Sequence, residues 1–203
     1  MSHRTPIPTA IVALKFVARE TPNMGWIFGY GSLIWRPGFI AERRMIARLD
    51  GWERVFSQGS PDHRGTPEKP GRVVNLHPRI GHFCWGMAFE VNTAEWPSIL
   101  TALDRRESGG YAQQRVTVER EDGAFVSCIT YIAPPSNRFH LGLAPMTEMA
   151  EQIRLAQGPS GPNRQYVFEL ESALKHLAIE DHHVTQLARA LKASIDQAEA
   201  EIT

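Results

Sequence analysis

Apolar and polar positions follow two periods along this chain, and the change from one to the other falls near residue 145. Trp26, Ile27 and Phe28 form an unbroken apolar run, the composition of a buried strand. Residues 44–49 alternate, Asp50-Gly51 has the form of a hairpin turn, and residues 52–57 read as the returning strand. Residues 72–76 and 82–91 predict two more strands, and 113–120 with 124–132 a pair turned at Asp122-Gly123. Asn92, with Glu95 three residues on, matches a capping box, and Trp96, Ile99, Leu100 and Leu103 mark the buried face of a helix ending at Gly109-Gly110. Residues 59–71 contain three prolines and three glycines and predict a loop, long enough to suggest a functional one.

Past residue 145 the period is helical. Met146, Met149, Ile153 and Ala156 form one stripe, closed by Gly158-Pro159. Tyr166, Leu170, Ala173, Leu174 and Leu177 form a second, and Val184, Leu187, Leu191 and Ile195 a third, expected against the outside of the sheet. Strands early and helices late indicate an α+β fold whose sheet closes, wholly or in part, into an antiparallel barrel. Residues 1–24 stand apart: Thr5-Pro6-Ile7-Pro8 is extended, and Thr9 is placed to cap a short helix carrying Ile11, Leu14, Val17 and Ala18. They read as a peripheral arm on a single domain, residues 25–203.

A length of 203 residues suits one domain with an ample core. Lys and Arg total 22 and Asp and Glu total 22, a balance that argues against a nucleic-acid surface or a polybasic membrane anchor. No apolar stretch approaches the ~20 residues of a spanning helix, and Lys15 interrupts the N-terminal apolar run with no cleavage signal after it. Cys84 and Cys128 lie in strand-like runs and suggest no disulfide framework. The expectation is a soluble, cytoplasmic protein with no nucleic-acid or membrane partner.

Two stretches could carry chemistry. Gly29 and Gly31 break the first strand, Ser32 adds a hydroxyl, and the main-chain N–H groups of residues 30–33 could cradle a carboxylate or an oxyanion. A glycine-rich strand end without a ligand fits the same residues equally well. The stretch lacks the third glycine of a dinucleotide loop, the Gly-Lys-Ser/Thr of a phosphate loop and the Gly-x-Ser-x-Gly of a nucleophile elbow. The second is Asp104-Arg105-Arg106-Glu107, which by charge pattern alone reads more readily as a solvated helix end. His82-x-Cys84 with Cys128 falls short of a four-ligand metal set, and His182-His183 beside an acidic pair is expected to be solvated. A triad of Ser32 or Ser60 with Asp62 and His63 is disfavoured, because adjacent side chains point apart in extended chain.

Tyr30-Gly31-Ser32-Leu33-Ile34-Trp35 resembles the opening signature of the ChaC-like, glutathione-specific gamma-glutamylcyclotransferases. Three further blocks match in the same order: Gln58-Gly59-Ser60-Pro61-Asp62-His63-Arg64-Gly65 running on to Pro70-Gly71-Arg72-Val73-Val74; Leu103-Asp104-Arg105-Arg106-Glu107-Ser108-Gly109-Gly110-Tyr111; and Ala150-Glu151-Gln152-Ile153 with Gly158-Pro159-Ser160-Gly161. The resemblance implies a small mixed barrel with flanking helices and a site at one mouth, with Glu107 as the catalytic residue. It implies glutathione as the small-molecule substrate, cyclised to 5-oxoproline with release of cysteinylglycine. Cyclotransfer on other gamma-glutamyl amines or amino acids, or a non-catalytic role linked to cation transport, are the rival readings. One departure is Ser57, which stands where the family carries an aromatic residue before Gln-Gly-Ser.

The implied chemistry gives each candidate a task. The α-amine must lose a proton before it attacks its own γ-carbonyl, so a base at Glu107 is required. The oxyanion needs N–H donors, which Tyr30, Gly31, Ser32 and Leu33 offer. Arg72 could fork onto a substrate carboxylate, an ordinary surface arginine being the alternative. Tyr111 and Tyr166 could donate hydroxyls or fill the core, and Gln58 and Ser60 could reach the peptide's tail. No metal, cofactor or covalent intermediate is needed.

Overall fold

The computed structural model describes residues 24–201, so the expected N-terminal arm lies outside the described residues except for Met24. Five strands, β1 (Met24–Gly29), β2 (Arg43–Ser60), β3 (Gly71–Asn92), β4 (Ala112–Arg120) and β5 (Phe125–Ile132), close into a barrel in the order β1-β3-β2-β4-β5. Neighbours run antiparallel except β1 and β5, which close the barrel in parallel with Ile27 opposite Ile129. The barrel is therefore mixed, and closure removes the unpaired edges that an open sheet would expose. Helices α1 (Trp96–Arg106), α2 (Met146–Leu155), α3 (Asn163–His176) and α4 (His182–Ala200) flank it. A two-residue ribbon, β6 (Gln157–Gly158) with β7 (Gly161–Pro162), links α2 to α3.

The Asp50-Gly51 hairpin does not form. β2 runs straight through it, and both of its halves pair with β3: Arg48 lies opposite Trp85, and Arg54 opposite Leu76. Asp50 faces Phe83 while Trp52 faces Pro78, so residues 79–82 bulge outward across from Gly51. Gly51 and Gly81 both sit at positive φ, 82° and 81°. A left-handed glycine serves a bulge as well as a tight turn, which is why the local signal misleads. Residues 72–76 and 82–91 are accordingly one strand bent at that bulge.

Two other expectations are corrected. Asn92 does not cap α1; its Oδ1 accepts from the Ala94 N–H at 2.9 Å, and the helix starts at Trp96 with Pro97 in its first turn. Proline has a preset φ and no N–H to leave unbonded, so it fixes the start four residues after Asn92. The third stripe, α4, packs mainly on α2 and α3 and meets the barrel at β2. There His183, expected to be solvated, is half-buried: its Nε2 accepts from the Phe56 N–H at 3.1 Å and its ring lies 5.9 Å from that of Phe56.

Candidate active site

A cleft of about 420 Å³ opens where β1 ends, α1 stops and the loop after β2 begins. The β1 strand finishes at Gly29 and the chain turns tightly through a 3-10 segment, Ser32–Ile34, with the Ile34 N–H donating to the Gly31 carbonyl at 3.0 Å. A Cβ at Gly31 would lie 3.0 Å from both the Tyr166 hydroxyl and a Val74 methyl, so a larger residue would press on this wall and glycine lets the main chain approach it closely. The first N–H groups of such a turn have no partner within it. Here they belong to Gly31, Ser32 and Leu33, all of which line the cleft.

Two arginines lock this turn from different sides. Arg54, its side chain wholly buried, donates through Nε to the Tyr30 carbonyl at 2.7 Å and through Nη2 to the Trp85 carbonyl. Its remaining face pairs with Asp181 at 2.6 Å, the residue that caps α4 by accepting from the Val184 N–H. Arg106, the last residue of α1, donates to Ser32 Oγ at 2.8 Å and to the Arg36 carbonyl at 2.5 Å, with its Nε 3.5 Å from Glu107 Oε1.

Glu107 follows α1, its N–H bonded to the Leu103 carbonyl at 2.8 Å, and its side chain keeps only 18% of its accessible surface. Burial pushes its carboxyl above the ordinary carboxylate range; the Arg106 and His63 charges pull it back in part, while Asp62 adds to the rise. The corner behind it is held through one carbonyl, that of Gly109, which accepts from Gln58 Nε2 at 2.9 Å and Asn137 Nδ2 at 3.2 Å. Gly110 then takes φ 91° to bring Tyr111 into the wall.

The other sequence candidates divide. Tyr30, Ser60, Tyr111 and Tyr166 line the cleft with the turn and Glu107. The hydroxyls of Tyr30 and Tyr111, however, donate to the carbonyls of Tyr131 and Val74, each at 2.6 Å, so these rings build the floor and their protons are committed. Tyr166 is buried, with its hydroxyl above Gly31 and hydrogen-bonded with the Val74 main chain. Ser60 Oγ accepts from the Arg64 N–H at 3.0 Å and shapes the loop. Gln58 does not reach outward; it is fully buried behind Gly109. Arg72 is neither a substrate fork nor a surface residue. It is buried, bonded to Gln152 Oε1 at 2.6 Å and to the carbonyls of Phe56 and Gly142 at 3.0 and 2.8 Å, and it ties α2 to β2.

Residues assigned no substrate-binding role from sequence complete the wall: Arg36, Asp62, His63, Arg64, Arg106 and Ser160. The premise of extended chain fails at Asp62 and His63, which lie in a run of bends. Neither Ser32 nor Ser60 meets His63, whose Nδ1 lies 3.2 Å from Ser160 Oγ, and Asp62 at 4.0 Å is too distant to orient the ring. The blocks 58–65 and 158–161, which match the family together, were the available signal, because they form this side of the cleft jointly. Among the described residues no three His, Cys, Asp or Glu side chains are grouped as metal ligands. Cys84 and Cys128 are buried, and that burial pushes their thiols up to about 11 and about 12.

The sequence profile of the ChaC-like proteins matches residues 25–194. Gamma-glutamylcyclotransferase 2-3 of Arabidopsis thaliana is 41% identical over 183 residues, which cover 86% of this chain and 92% of that protein. Glutathione-specific gamma-glutamylcyclotransferase 1 of Danio rerio is 37% identical over 176 residues, covering 84% and 90%. A crystal structure of a gamma-glutamyl cyclotransferase specific to glutathione from yeast shares the fold with a TM-score of 0.79 at 27% identity, covering 84% of this chain and 96% of that one. The barrel, the glycine turn and the glutamate at the end of α1 thus belong to a chain that is a member of the ChaC-like family.

Proposed function

We propose that this chain degrades glutathione by intramolecular cyclisation, releasing 5-oxoproline and cysteinylglycine. The observation that carries the reading is one cleft holding a carboxyl group made basic by burial, Glu107, beside the N–H-rich turn of Gly31, Ser32 and Leu33. The substrate's α-ammonium transfers a proton to Glu107, and the freed nitrogen attacks the γ-carbonyl carbon. A C–N bond forms while the carbonyl π pair moves to oxygen, where the turn's N–H groups stabilise it. The oxyanion collapses, the bond to the cysteinyl nitrogen breaks, and Glu107 returns the proton to that leaving amine. The ring nitrogen then passes its own extra proton by the same carboxylate, leaving neutral 5-oxoproline lactam and the ammonium form of cysteinylglycine. Nucleophile and electrophile share one molecule, so holding the cyclisable conformer reaches effective molarities of order 10⁵ M or more. The names of the relatives support glutathione as the substrate. We assign the enzyme to the cytoplasm, where glutathione keeps thiols such as Cys84 and Cys128 reduced. Among the described residues no helix is long and apolar enough to cross a membrane.

The test is 5-oxoproline formation from glutathione by purified protein without added metal, beside a panel of other gamma-glutamyl compounds. Rejection of gamma-glutamyl-alanine supports glutathione specificity; equal turnover favours a broader cyclotransferase; no 5-oxoproline from any substrate refutes the enzyme. Glu107→Gln preserves size but cannot take the ammonium proton, and should lower kcat about 10²-fold or more. Glutathione affinity should fall far less.

A further inference from the structure

The cleft concentrates guanidinium groups. Arg36, Arg64 and Arg106 all line it, against the carboxylates of Glu107 and Asp62. Burial holds the Arg64 and Arg106 guanidiniums below the usual arginine range, and the Arg36 charge adds to the depression of both. Like charges gathered in a half-desolvated space are costly unless an anion joins them.

Two of the three are already occupied. Arg64 is bonded to Glu169 Oε2 at 3.3 Å, to Gln165 and to the Pro162 carbonyl. Arg106 holds Ser32, the Arg36 and Pro37 carbonyls and the flank of Glu107. Arg36 is exposed, and among the described residues its guanidinium has no hydrogen bond or ion pair. Its main chain, by contrast, is fixed: its N–H donates to the Ser32 carbonyl at 2.8 Å and its carbonyl is held by Arg106. A free guanidinium on an anchored backbone at the rim of a cationic cleft is a carboxylate receiver.

Given the proposed reaction, on which this step rests, the γ-glutamyl end is held at Glu107 and the turn. Glutathione's second carboxylate, on its glycine, then lies about two residues further out, roughly 7 Å from the reacting carbonyl. We infer that Arg36 binds this glycine carboxylate and is the specificity-determining residue that favours a peptide-length gamma-glutamyl substrate over shorter ones.

The experiment compares glutathione with its glycyl ethyl ester, in which that carboxylate is neutral, for wild type, Arg36→Ala and Arg36→Lys. Arg36→Ala should raise KM for glutathione about ten- to hundredfold, with kcat much less affected. The ester should cost the wild type a similar factor and should be used almost equally by wild type and Arg36→Ala. Arg36→Lys should recover part of the loss on glutathione alone. Melting temperatures close to wild type would accompany these results, as the side chain has no hydrogen-bond or ion-pair partner among the described residues. A loss on Arg36→Ala that is equal for glutathione and ester, or absent for both, overturns the assignment while leaving the reaction intact. A wild type inert towards glutathione overturns the assignment and the proposed function together.

Discussion

The surroundings of Glu107, the base of the proposed reaction, disfavour its charge. Burial raises its carboxyl pKa, so activity should fall on acidification at a pH above the ~4.3 of a free glutamate. Arg106 is the nearest opposing charge, 3.5 Å away, and it also holds Ser32. Arg106→Ala should therefore move the acid limb of the kcat profile to higher pH and lower the plateau; an unmoved limb would show that Arg106 does not tune the base. The linkage sign follows from the same shift. A raised folded pKa favours the fold below the unfolded value and erodes stability as pH rises through the folded one. Glu107→Gln should accordingly melt at or slightly above the wild-type temperature at pH 7. At this scale legibility divided by burial. Glu107 and the glycine turn share one cleft, as the family blocks implied, although charge pattern and glycine content alone left both open. Arg72 and Gln58 were misread, because a polar side chain spent on buried carbonyls and one reaching for substrate have the same letter.

Elements were legible by type and misread by partner. Every strand segment and all four helical faces expected within the described residues exist where the periodicity put them, yet Asp50-Gly51 joined no hairpin, since which strand pairs with which depends on residues 20 to 40 positions away. The docking of α4 shows the same limit, and it carries a pH response. His183 must stay neutral, with its proton on Nδ1, to accept the Phe56 N–H. Burial lowers its pKa; Asp181 and Glu53 oppose the shift and Arg54 reinforces it. A depressed folded pKa means stability that is complete above the unfolded value of ~6.5 and is lost as pH falls through the folded one. Urea melts at pH 7.5 and pH 5.5 should show this loss, and His183→Gln should flatten it. His77, also lowered chiefly by burial, should account for part of what slope remains. An unchanged slope in His183→Gln would place the response elsewhere.

For the molecule as a whole, the cleft is built from residues 28–166, and the family match begins at residue 25. We therefore treat residues 1–24 as an arm outside the catalytic domain. A chain truncated to begin at Met24 should keep kcat/KM within about threefold even if it melts earlier. A hundredfold loss in a folded truncation would make the arm part of the site. The opposite holds at the other end. Asp181 neutralises a wholly buried Arg54 and caps α4 at once, so Asp181→Ala should cost about 3–5 kcal/mol in chemical denaturation. A loss below about 1 kcal/mol would mean that Arg54 is solvated and that the turn is not held from α4.

That last contact also sets a clock. Tyr30 leaves the ribosome early, and its carbonyl is fixed by an arginine whose counter-charge arrives 151 positions later, at Asp181. At the ~5–20 residues per second of protein synthesis, that interval is roughly 8–30 s. Throughout it the arginine that holds the Tyr30 carbonyl lacks its counter-charge. The turn therefore reaches its finished state only when the start of the last helix has emerged and folded back onto Arg54.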